Sequence, residues 1–276
     1  MLRKIVGAPV LAIVVAVWVV AYSSSSTADR RGQAGLEDGF SVDSDVALSS
    51  LIAVSDGHLQ KMADSLELVA AFDEVRSADW ERVEPKLAAA AEQNVAALNW
   101  FALPDGSYWS VQHGQEEGNL AARAYFPRVL GGETVIGELV VSRATGQPVA
   151  IVAVPVLDAD GDVVGVLGAS VYLDRLSQRI ERELGVGDDQ IFYSFDDTPL
   201  VALVWDPELV FLDPMAAGEP ELAGAFREML ERESGTVSYS FRGRERTVVY
   251  RRSDVTGWWY AFGIIHETRE PSPLPP

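Results

Sequence analysis

Cysteine is absent from the 276-residue chain, which excludes disulfides, thiolate metal sites and a cysteine nucleophile. Histidine occurs only at positions 58, 113 and 266, and this spacing does not match a zinc motif such as H-E-x-x-H. The chain also lacks a phosphate-binding P-loop, a dinucleotide-binding glycine motif and the G-x-S-x-G motif of serine hydrolases. We therefore expect a protein that is not an enzyme, with no catalytic residue, no metal site and no cofactor.

Basic residues are scarce. Lys and Arg together number 22 against 41 Asp and Glu, which gives a formal net charge of -19. Nucleic acids and anionic membrane surfaces require clustered Lys and Arg, so we expect no nucleic-acid partner. Hydrophobic residues make up 48% of the chain, enough for one large domain or two modest ones, and we favour two.

Long apolar runs are also few. One uncharged run, from Ile5 to Tyr22, is long enough to cross a thin bilayer at roughly 1.5 Å per residue. Arg3 and Lys4 precede it, which favours a cytoplasmic N-terminus. We predict that residues 1–22 are a retained transmembrane signal anchor and that residues 23–276 are extracytoplasmic, or periplasmic in a two-membrane cell. Cleavage of the segment, which would give a secreted protein, is the alternative.

The chain next to this anchor has a different composition. Residues 23–43 are rich in Ser, Gly and Asp and predict a flexible stalk, while the Pro-rich residues 267–276 predict a disordered tail. Between residues 44 and 72 the apolar residues recur at three- and four-residue spacing, which predicts one long helix. A second helix is predicted to begin near Asp79.

The hydrophobic period then changes to that of strands. Two aromatic-rich strands flank the turn from Pro104 to Gly106, and two longer strands flank Asp160 and Gly161, a strong hairpin signal. Asp158, Asp160 and Asp162 alternate as in some calcium loops, but the terminal Glu of such loops is missing. The hairpin turn explains these aspartates better.

The second half of the chain repeats this kind of pattern. A helix closed by Gly185 leads into a strand, a turn and a strand, then a helix predicted to end at Gly235, then three strands. Trp258 and Trp259 are predicted to pack in the core of this second half. Each half is therefore a small antiparallel sheet with helices at its margins, which places the protein in the α+β class.

Four motifs in this order resemble the double Cache family of extracytoplasmic sensors. They are an Arg-x-Tyr-Phe segment, a Thr-Gly-x-Pro strand entry, a D-x-D-G-x-V-x-G-V hairpin and a Gly-Trp strand entry, at residues 123–126, 145–148, 158–166 and 257–258. The resemblance extends from residue 44 to 266. It implies a long N-terminal helix followed by two PAS-like subdomains, the membrane-distal one within residues 44–184 and the membrane-proximal one within residues 185–266.

The resemblance also implies a pocket for a small organic ligand in the distal subdomain. In the branch that binds amino acids, an Arg matched by Arg123 holds the ligand carboxylate, and aromatic neighbours matched by Tyr125 and Phe126 wall the pocket. Arg suits this role because its planar fork can grip a carboxylate with two hydrogen bonds. The same branch places an Asp where this chain has Ser170, to receive the ligand ammonium. The loss of that Asp favours a carboxylate or a neutral ligand over an amino acid.

The aromatic residues of the first two strands complete the predicted ligand contacts. Trp100, Tyr108 and Trp109 lie there, and strand alternation sends successive side chains to opposite faces. The sequence leaves open which face carries the pocket, and core packing remains the alternative for each of the three. A structural salt bridge or a solvent-facing position remains the alternative for Arg123.

These patterns predict a membrane-anchored sensor-type protein that binds a small molecule outside the cytoplasm. Family members usually continue into an output domain, which this sequence lacks, so we expect it to act in trans through a membrane receptor or another envelope protein. A homodimer formed through the long helix is a further expectation. The alternative is an envelope adaptor whose pocket has decayed; a hydrolase built from scattered residues is the least favoured.

Overall fold

The structure of the protein is a computed structural model that describes residues 28–266, with side chains described from residue 43 onward. The predicted anchor at residues 1–22 and the predicted tail at residues 267–276 lie outside this range. Among the described helices, none is both long and apolar enough to span a membrane. The chain divides into two units with the boundary between Ser44 and Asp45, and every strand that the structure describes lies in the second unit.

The long helix α1 spans Ala28–Ala70. It begins inside the segment predicted as a flexible stalk, so that prediction is corrected for residues 28–43. Ala, Arg, Gln, Leu and Glu in this stretch have high helix propensity, and no proline interrupts it. The glycines there weaken the helix but do not break it.

Two shorter helices follow. Helix α2 spans Asp73–Arg76, and helix α3 spans Trp80–Ala91. The side chain of Asp79 caps α3 by accepting a hydrogen bond from the Glu81 amide at 3.2 Å, as its place before the predicted helix suggested. The buried side chains of α3 join the core beneath the first sheet.

The distal sheet has six antiparallel strands in the order β3-β2-β1-β6-β5-β4. The strands are β1 Ala97–Ala102, β2 Tyr108–Ser110, β3 Gly114–Gln115, β4 Val135–Val141, β5 Pro148–Leu157 and β6 Val163–Tyr172. Helix α4, Tyr125–Leu130, lies between β3 and β4 in sequence. Pro127 lies in its first turn, and the helix ends before Gly131.

The two faces of the distal sheet have different neighbours. On one face, Phe101 packs in the core that contains α1 and α3. On the other face, Trp100 packs with residues of α4 in a smaller cluster. Gly168, opposite Trp100 in the register of β1 and β6, makes room for the indole, because a Cβ there would lie 2.1 Å from the ring. This second face carries the pocket described below.

The proximal sheet has five antiparallel strands in the order β8-β7-β11-β10-β9. Helix α5, Leu173–Leu184, leads into it and ends at Gly185, whose φ of 64° is left-handed, as the sequence predicted. The remaining elements are β7 Gln190–Phe195, β8 Val201–Val204, a 3-10 turn Pro207–Leu209, α6 Pro220–Leu230, β9 Ser234–Phe241, β10 Arg244–Arg252 and β11 Trp259–Ile265. The prediction that α6 ends at Gly235 was wrong, because Gly235 already pairs with Tyr250 in the sheet.

One hydrophobic core is shared by α1, the distal sheet, α5 and part of the proximal sheet. Trp258 belongs to this shared core, and its indole N–H donates to the Gly137 carbonyl of β4 at 3.0 Å. The prediction that Trp258 packs only in the proximal core is thus corrected; Trp259 does pack there, with Phe195. Trp258 and Trp259 pack in different cores because successive side chains of an extended segment point to opposite faces of the sheet.

A buried carboxylate joins α1 to the proximal sheet. Asp56 is 8% exposed and accepts hydrogen bonds from Ser253 Oγ at 2.6 Å and from the Tyr260 hydroxyl at 2.9 Å. Burial raises the pKa of Asp56, and the hydrogen bonds to its charged form oppose that rise. The contact fixes the rotational position of α1 against β11.

Candidate functional site

A pocket lies on the face of the distal sheet that carries Trp100, between the sheet and the segment that precedes α4. Its wall comprises twelve residues from β1, β2, β4, β5, β6, the start of α4 and the loops around them: Leu98, Trp100, Tyr108, Leu120, Arg123, Tyr125, Val140, Ser142, Arg143, Ala144, Ile151 and Ser170. Apolar and aromatic side chains form most of this wall, with a few polar groups among them. Such a composition is typical of sites for small organic molecules.

Aromatic rings form the deepest part of the pocket. The Trp100 ring lies 6.5 Å from Tyr108 in an edge-on arrangement and 6.4 Å from Tyr125. Its indole N–H donates to Ser170 Oγ at 3.2 Å. The Ser170 hydroxyl therefore already has a partner, and it presents no negative charge at the position where the amino-acid-binding branch has an Asp.

Arg123 lies at the pocket mouth, two residues before α4. Its Nη2 donates to the Val141 carbonyl at the end of β4, at 2.8 Å, and its side chain remains partly exposed. A carbonyl is a neutral acceptor, and a carboxylate bound to the same guanidinium would form a stronger, charge-assisted hydrogen bond. Among the described residues, the partner of Arg123 is a backbone carbonyl rather than the carboxylate of the alternative salt bridge.

A second arginine, Arg143, approaches the same pocket from the turn after β4. Its Nη1 donates to the Asn119 carbonyl at 2.6 Å. That turn is closed by hydrogen bonds from the Ser142 amide to the Gln147 carbonyl and from the Gly146 amide to the Ser142 carbonyl. The pocket therefore has two guanidinium groups at its mouth, each held by a single backbone carbonyl.

The charge of the pocket is positive, because its twelve described wall residues include two arginines and no Asp or Glu. Burial raises the pKa of Tyr125, and the positive charges of Arg123 and Arg143 act in the opposite direction. The same two arginines oppose the rise in the pKa of Tyr108. An anion would thus be stabilised here, whereas an ammonium group would find no counter-ion in the wall.

The pocket is narrow, with a cavity of about 20 Å³. A space of this size holds about one water molecule. A larger ligand enters only if side chains move, and the two partly or fully exposed arginines are the members of the wall least constrained by packing.

The structure brings five of the seven sequence-predicted ligand residues to this pocket: Trp100, Tyr108, Arg123, Tyr125 and Ser170. Phe126 is buried next to the pocket, in the same apolar cluster, but does not line it. Trp109 faces the other side of the sheet, where its ring stacks on Trp80 at 6.4 Å. The alternation of β2 sends Tyr108 and Trp109 to opposite faces, so Tyr108 lines this pocket and Trp109 does not.

Sequence reasoning missed Arg143 and the residues of the neighbouring turn. The available signal was a basic residue two positions before the Thr-Gly motif. The acidic residue Glu138, also on β4, does not line this pocket; it forms an ion pair with Arg128 at 3.1 Å.

The histidines do not meet. His58 pairs with Glu183 and His113 with Glu116, at 2.8 and 2.9 Å, and His266 contacts Thr247. In the part of the chain that the structure describes, no three His, Asp or Glu side chains lie close enough together to hold a metal ion.

Solved structures of similar fold include ligand-binding domains of bacterial chemoreceptors. The protein titled methyl-accepting chemotaxis protein X is 16% identical, with 82% of this chain and 98% of that chain covered and a TM-score of 0.64. The ligand-binding domain of the Pseudomonas aeruginosa amino acid chemoreceptor PctB, in complex with L-Arg, is 15% identical, covering 83% and 95%, with a TM-score of 0.62. That of the Pseudomonas fluorescens chemoreceptor CtaA, in complex with L-serine, is 15% identical, covering 84% and 98%, with a TM-score of 0.63.

A comparison with curated proteins finds no match. The solved structures share the fold, but identities this low say nothing more about this chain. A family model described as a Cache domain, in its double form, matches residues 44–270. The chain therefore belongs to the double Cache family of ligand-binding sensor domains, and the sequence-based prediction of this family and of its α+β fold is confirmed.

Proposed function

We propose that the protein binds a small organic carboxylate in the distal pocket. The observation that carries this proposal is the convergence of Arg123 and Arg143 on one aromatic-walled pocket whose described wall has no acidic residue. Two guanidinium groups supply donors in fork geometry for a carboxylate. The rings of Trp100, Tyr108 and Tyr125 exclude water, which strengthens that contact.

Binding exchanges one set of hydrogen bonds for a stronger one. The carboxylate replaces the Val141 carbonyl as the partner of Arg123 and the Asn119 carbonyl as the partner of Arg143, and both released carbonyls lie on exposed residues where water can bind them. Charge-assisted hydrogen bonds are roughly twice as strong as neutral ones. The same movement of the arginines widens a cavity that now holds about one water.

The ligand class follows from Ser170. PctB and CtaA were solved with amino acids bound, and an amino acid brings an ammonium group with its carboxylate. The Ser170 hydroxyl here accepts from Trp100 and carries no charge. We therefore expect carboxylates without an α-amino group to bind more tightly than the corresponding amino acids.

The bound state is transmitted through β4. Release of the Val141 carbonyl from Arg123 frees the end of this strand, and the other half of the strand is tied to Trp258 through the Gly137 carbonyl. Trp258 is followed two residues later by Tyr260, which holds Asp56 of α1. A ligand that favours one position of β4 would thereby bias the position of α1, since a ligand shifts a conformational equilibrium through its differential contacts.

A thermal-shift screen tests the proposal. The full chain is exposed to organic acids, amino acids, amines and purines, and a ligand at 100 times its dissociation constant should add about 2.7 kcal/mol to the free energy of unfolding. The shift should disappear in Arg123→Ala and persist in Arg175→Ala, a control whose side chain is 65% exposed and lies outside the pocket. Equal shifts in the two variants would refute the site.

The small cavity favours a second candidate, an envelope adaptor whose pocket has closed. Trp100, Arg123, Arg143 and Ser170 all have partners within the protein, so the pocket is satisfied without a ligand. An adaptor predicts no stabilisation by any small molecule and co-purification of a stoichiometric partner. A carboxylate-dependent shift lost in Arg123→Ala argues against it.

The setting of the protein is part of the proposal. Cache domains are extracytoplasmic sensor domains, and we infer that residues 5–22 anchor this one in the membrane, where it presents its ligand state to a receptor or to a second copy through α1. Protease added to intact cells or spheroplasts should degrade residues 28–266 while the chain stays in the membrane fraction. Protection from the protease, or recovery in the soluble fraction, contradicts this arrangement.

A further inference from the structure

The proximal subdomain contains a buried arginine that the distal pocket does not involve. Arg246 lies on β10, where it pairs in register with Tyr239 of β9, and it is only 4% exposed. Strand alternation places it on the same face as Val248 and Tyr250, which belong to the proximal core. A charged side chain thus occupies an inward position of an otherwise apolar sheet face.

This guanidinium has no anionic partner among the described residues. Its Nη1 donates to the backbone carbonyls of Phe241 and of Arg244, the latter at 2.9 Å. Its Nε has no hydrogen-bond partner within residues 28–266. Leaving a buried donor unsatisfied costs free energy, more so for a charged group. Burial also lowers the pKa of Arg246, as expected for a desolvated cation.

Aromatic rings surround the guanidinium and line a neighbouring cavity. Its Cζ lies 5.0 Å from the Phe241 ring centre and 6.0 Å from that of Trp205, so two rings that line the cavity also contact the cation. The cavity wall is otherwise apolar and contains Tyr193, Val201, Val204, Trp205, Leu209, Leu212, Leu222, Phe226, Tyr239 and Phe241. A second guanidinium, that of Arg242, lies 5.2 Å from the Phe241 ring centre, but it pairs with Asp206 at 3.6 Å. The wall thus offers apolar surface next to one positive charge that has no anionic partner among the described residues.

Two tyrosine hydroxyls also belong to this wall. The Tyr239 hydroxyl donates to the Tyr193 hydroxyl at 3.1 Å, and the Tyr193 hydroxyl donates to Met229 Sδ at 3.8 Å. A thioether sulfur is a weak acceptor, so the Tyr193 hydroxyl donates only a weak hydrogen bond. A carboxylate oxygen would be a far better acceptor for it.

The cover of the cavity is a short irregular segment after β8. This segment supplies Leu209 and Leu212 to the wall and is tied to β8 through hydrogen bonds between Phe211 and Val201 and between Val201 and Leu212. Phe211 has a φ of 62°, which is costly for a residue that is not glycine. Because the cavity measures about 20 Å³, a ligand enters only when this segment shifts.

We propose that the proximal subdomain has a second binding site, for a small monocarboxylate with an apolar body. The carboxylate would accept from Arg246 Nε and from the tyrosine hydroxyls, and its hydrocarbon part would lie among the rings of Trp205 and Phe226. One guanidinium without an anionic partner beside this wall suits one negative charge, whereas a dicarboxylate would leave its second charge without a partner. Organic cations are disfavoured because Arg246 repels them.

Calorimetric titration of the full chain tests this site. The probes are straight-chain monocarboxylates from propionate to hexanoate and phenylacetate, each up to roughly 10 mM, and each paired with its uncharged primary amide. We expect at least one carboxylate to bind while its amide does not. Arg246→Met should weaken that binding by about tenfold to a hundredfold, the usual worth of a hydrogen bond to a charged group.

Matched variants separate this site from the distal pocket. Arg244→Met removes an exposed arginine from the same strand and should leave the affinity for the probe unchanged. Arg123→Ala removes the distal arginine, so any binding of the probe that it abolishes belongs to the distal pocket, while binding at the Arg246 site should persist in it. The proposal is overturned if Arg246→Met binds the probe as the parent does, if the amide binds as tightly as the carboxylate, or if no carboxylate binds. Binding lost in Arg123→Ala but kept in Arg246→Met would overturn it while supporting the distal pocket.

The double variant Tyr193→Phe with Tyr239→Phe provides a test if Arg246→Met does not fold. It keeps both rings and removes both hydroxyls, and it should also weaken binding of the carboxylate. An unchanged affinity in this variant would refute the role of the hydroxyls and with it the proposed site.

Discussion

The two subdomains share one kind of sheet but place their arginines differently. In the distal subdomain, Arg123 and Arg143 lie at the mouth of the pocket, in partial or full contact with solvent, each bonded to one carbonyl. In the proximal subdomain, Arg246 is buried among aromatic rings and leaves one donor without a partner in the described chain. The distal arginines keep much of their hydration, whereas Arg246 has lost it.

The two sites should therefore respond to a ligand in different ways. At the distal site a ligand must displace existing hydrogen bonds, whereas at the proximal site it supplies a counter-ion that the buried arginine lacks. An exposed arginine exchanges a carbonyl for a carboxylate at little cost, so the distal response depends on the strength of the new contact. A buried arginine without an anion destabilises the ligand-free protein, so its counter-ion relieves a cost that already exists. The predictions below test how far this contrast holds.

The largest effect on the free energy of unfolding is expected from a substitution in the core that the two subdomains share. Trp258→Ala removes a fully buried ring and the hydrogen bond to the Gly137 carbonyl, and should lower the free energy of unfolding by about 3–5 kcal/mol. Urea denaturation followed by far-UV circular dichroism measures this loss. Trp109→Ala, which removes a half-buried tryptophan of the distal sheet alone, is the control and should cost less. Equal losses of unfolding free energy in the two variants would mean that the shared core contributes no more to stability than the distal sheet does.

A smaller effect is expected from disturbing the distal pocket alone. Gly168→Ala places a Cβ 2.1 Å from the Trp100 ring, and overpacking of this kind should cost about 1–3 kcal/mol. The ring must move into the pocket, so the distal ligand response should vanish while the Arg246 site still binds. Gly57→Ala on α1, where nothing lies within 4 Å of the new Cβ, should instead stabilise by about 0.5–1 kcal/mol. Thermal unfolding of both variants gives the two signs.

Replacing a buried and an exposed arginine should have different effects on the stability of the ligand-free protein. Arg246→Met replaces a buried cation by an apolar chain of similar length and should raise the free energy of unfolding by about 1 kcal/mol. The carbonyls it abandons lie beside the exposed turn at Arg242 and Gly243, where water can reach them. Arg123→Met should change stability by less than about 0.5 kcal/mol. A strongly destabilised Arg246→Met would show that its carbonyl contacts outweigh its desolvation.

The smallest effect concerns the buried anion on α1. Because the pKa of Asp56 is raised above 3.8 in the folded protein, its carboxyl ionises first in the unfolded chain. The parent should therefore lose stability relative to Asp56→Asn as the pH rises from 3.8 through the raised pKa. Asp105→Asn provides a control of opposite slope, since hydrogen bonds from Ser107 lower the pKa of Asp105. Parallel pH profiles for the parent and Asp56→Asn would show that Asp56 contributes no such slope.

Local signals predicted most of the fold. The hairpin turns at Gly106 and Gly161 have φ values of 85° and 89°, and Gly185 ends α5 in the left-handed conformation, as these glycines suggested. The stalk prediction failed because composition alone does not distinguish a flexible segment from a helix with several glycines. The role of Trp258 was missed because the pattern of β11 does not reveal that one of its faces meets the other subdomain.

The pocket was only partly predictable. The Arg-x-Tyr-Phe motif located Arg123 and Tyr125, but alternation alone did not show that Trp100 faces the pocket and that Trp109 stacks on Trp80 of α3. Arg143 could not be placed because its contact with the Asn119 carbonyl joins segments distant in sequence. The burial of Arg246 could have been predicted from the sequence, since it alternates with Val248 and Tyr250 along β10 and so points to the same, inward face.

The shared core has a consequence for detecting a ligand. Because α1, the distal sheet and part of β11 are packed in one cluster, amide groups in these elements open to solvent together rather than strand by strand. Occupancy of the distal pocket should therefore slow amide hydrogen exchange in β11, far from any contact with the ligand. The backbone amides around Trp259 and Tyr260 would then act as a remote reporter of a molecule they never touch.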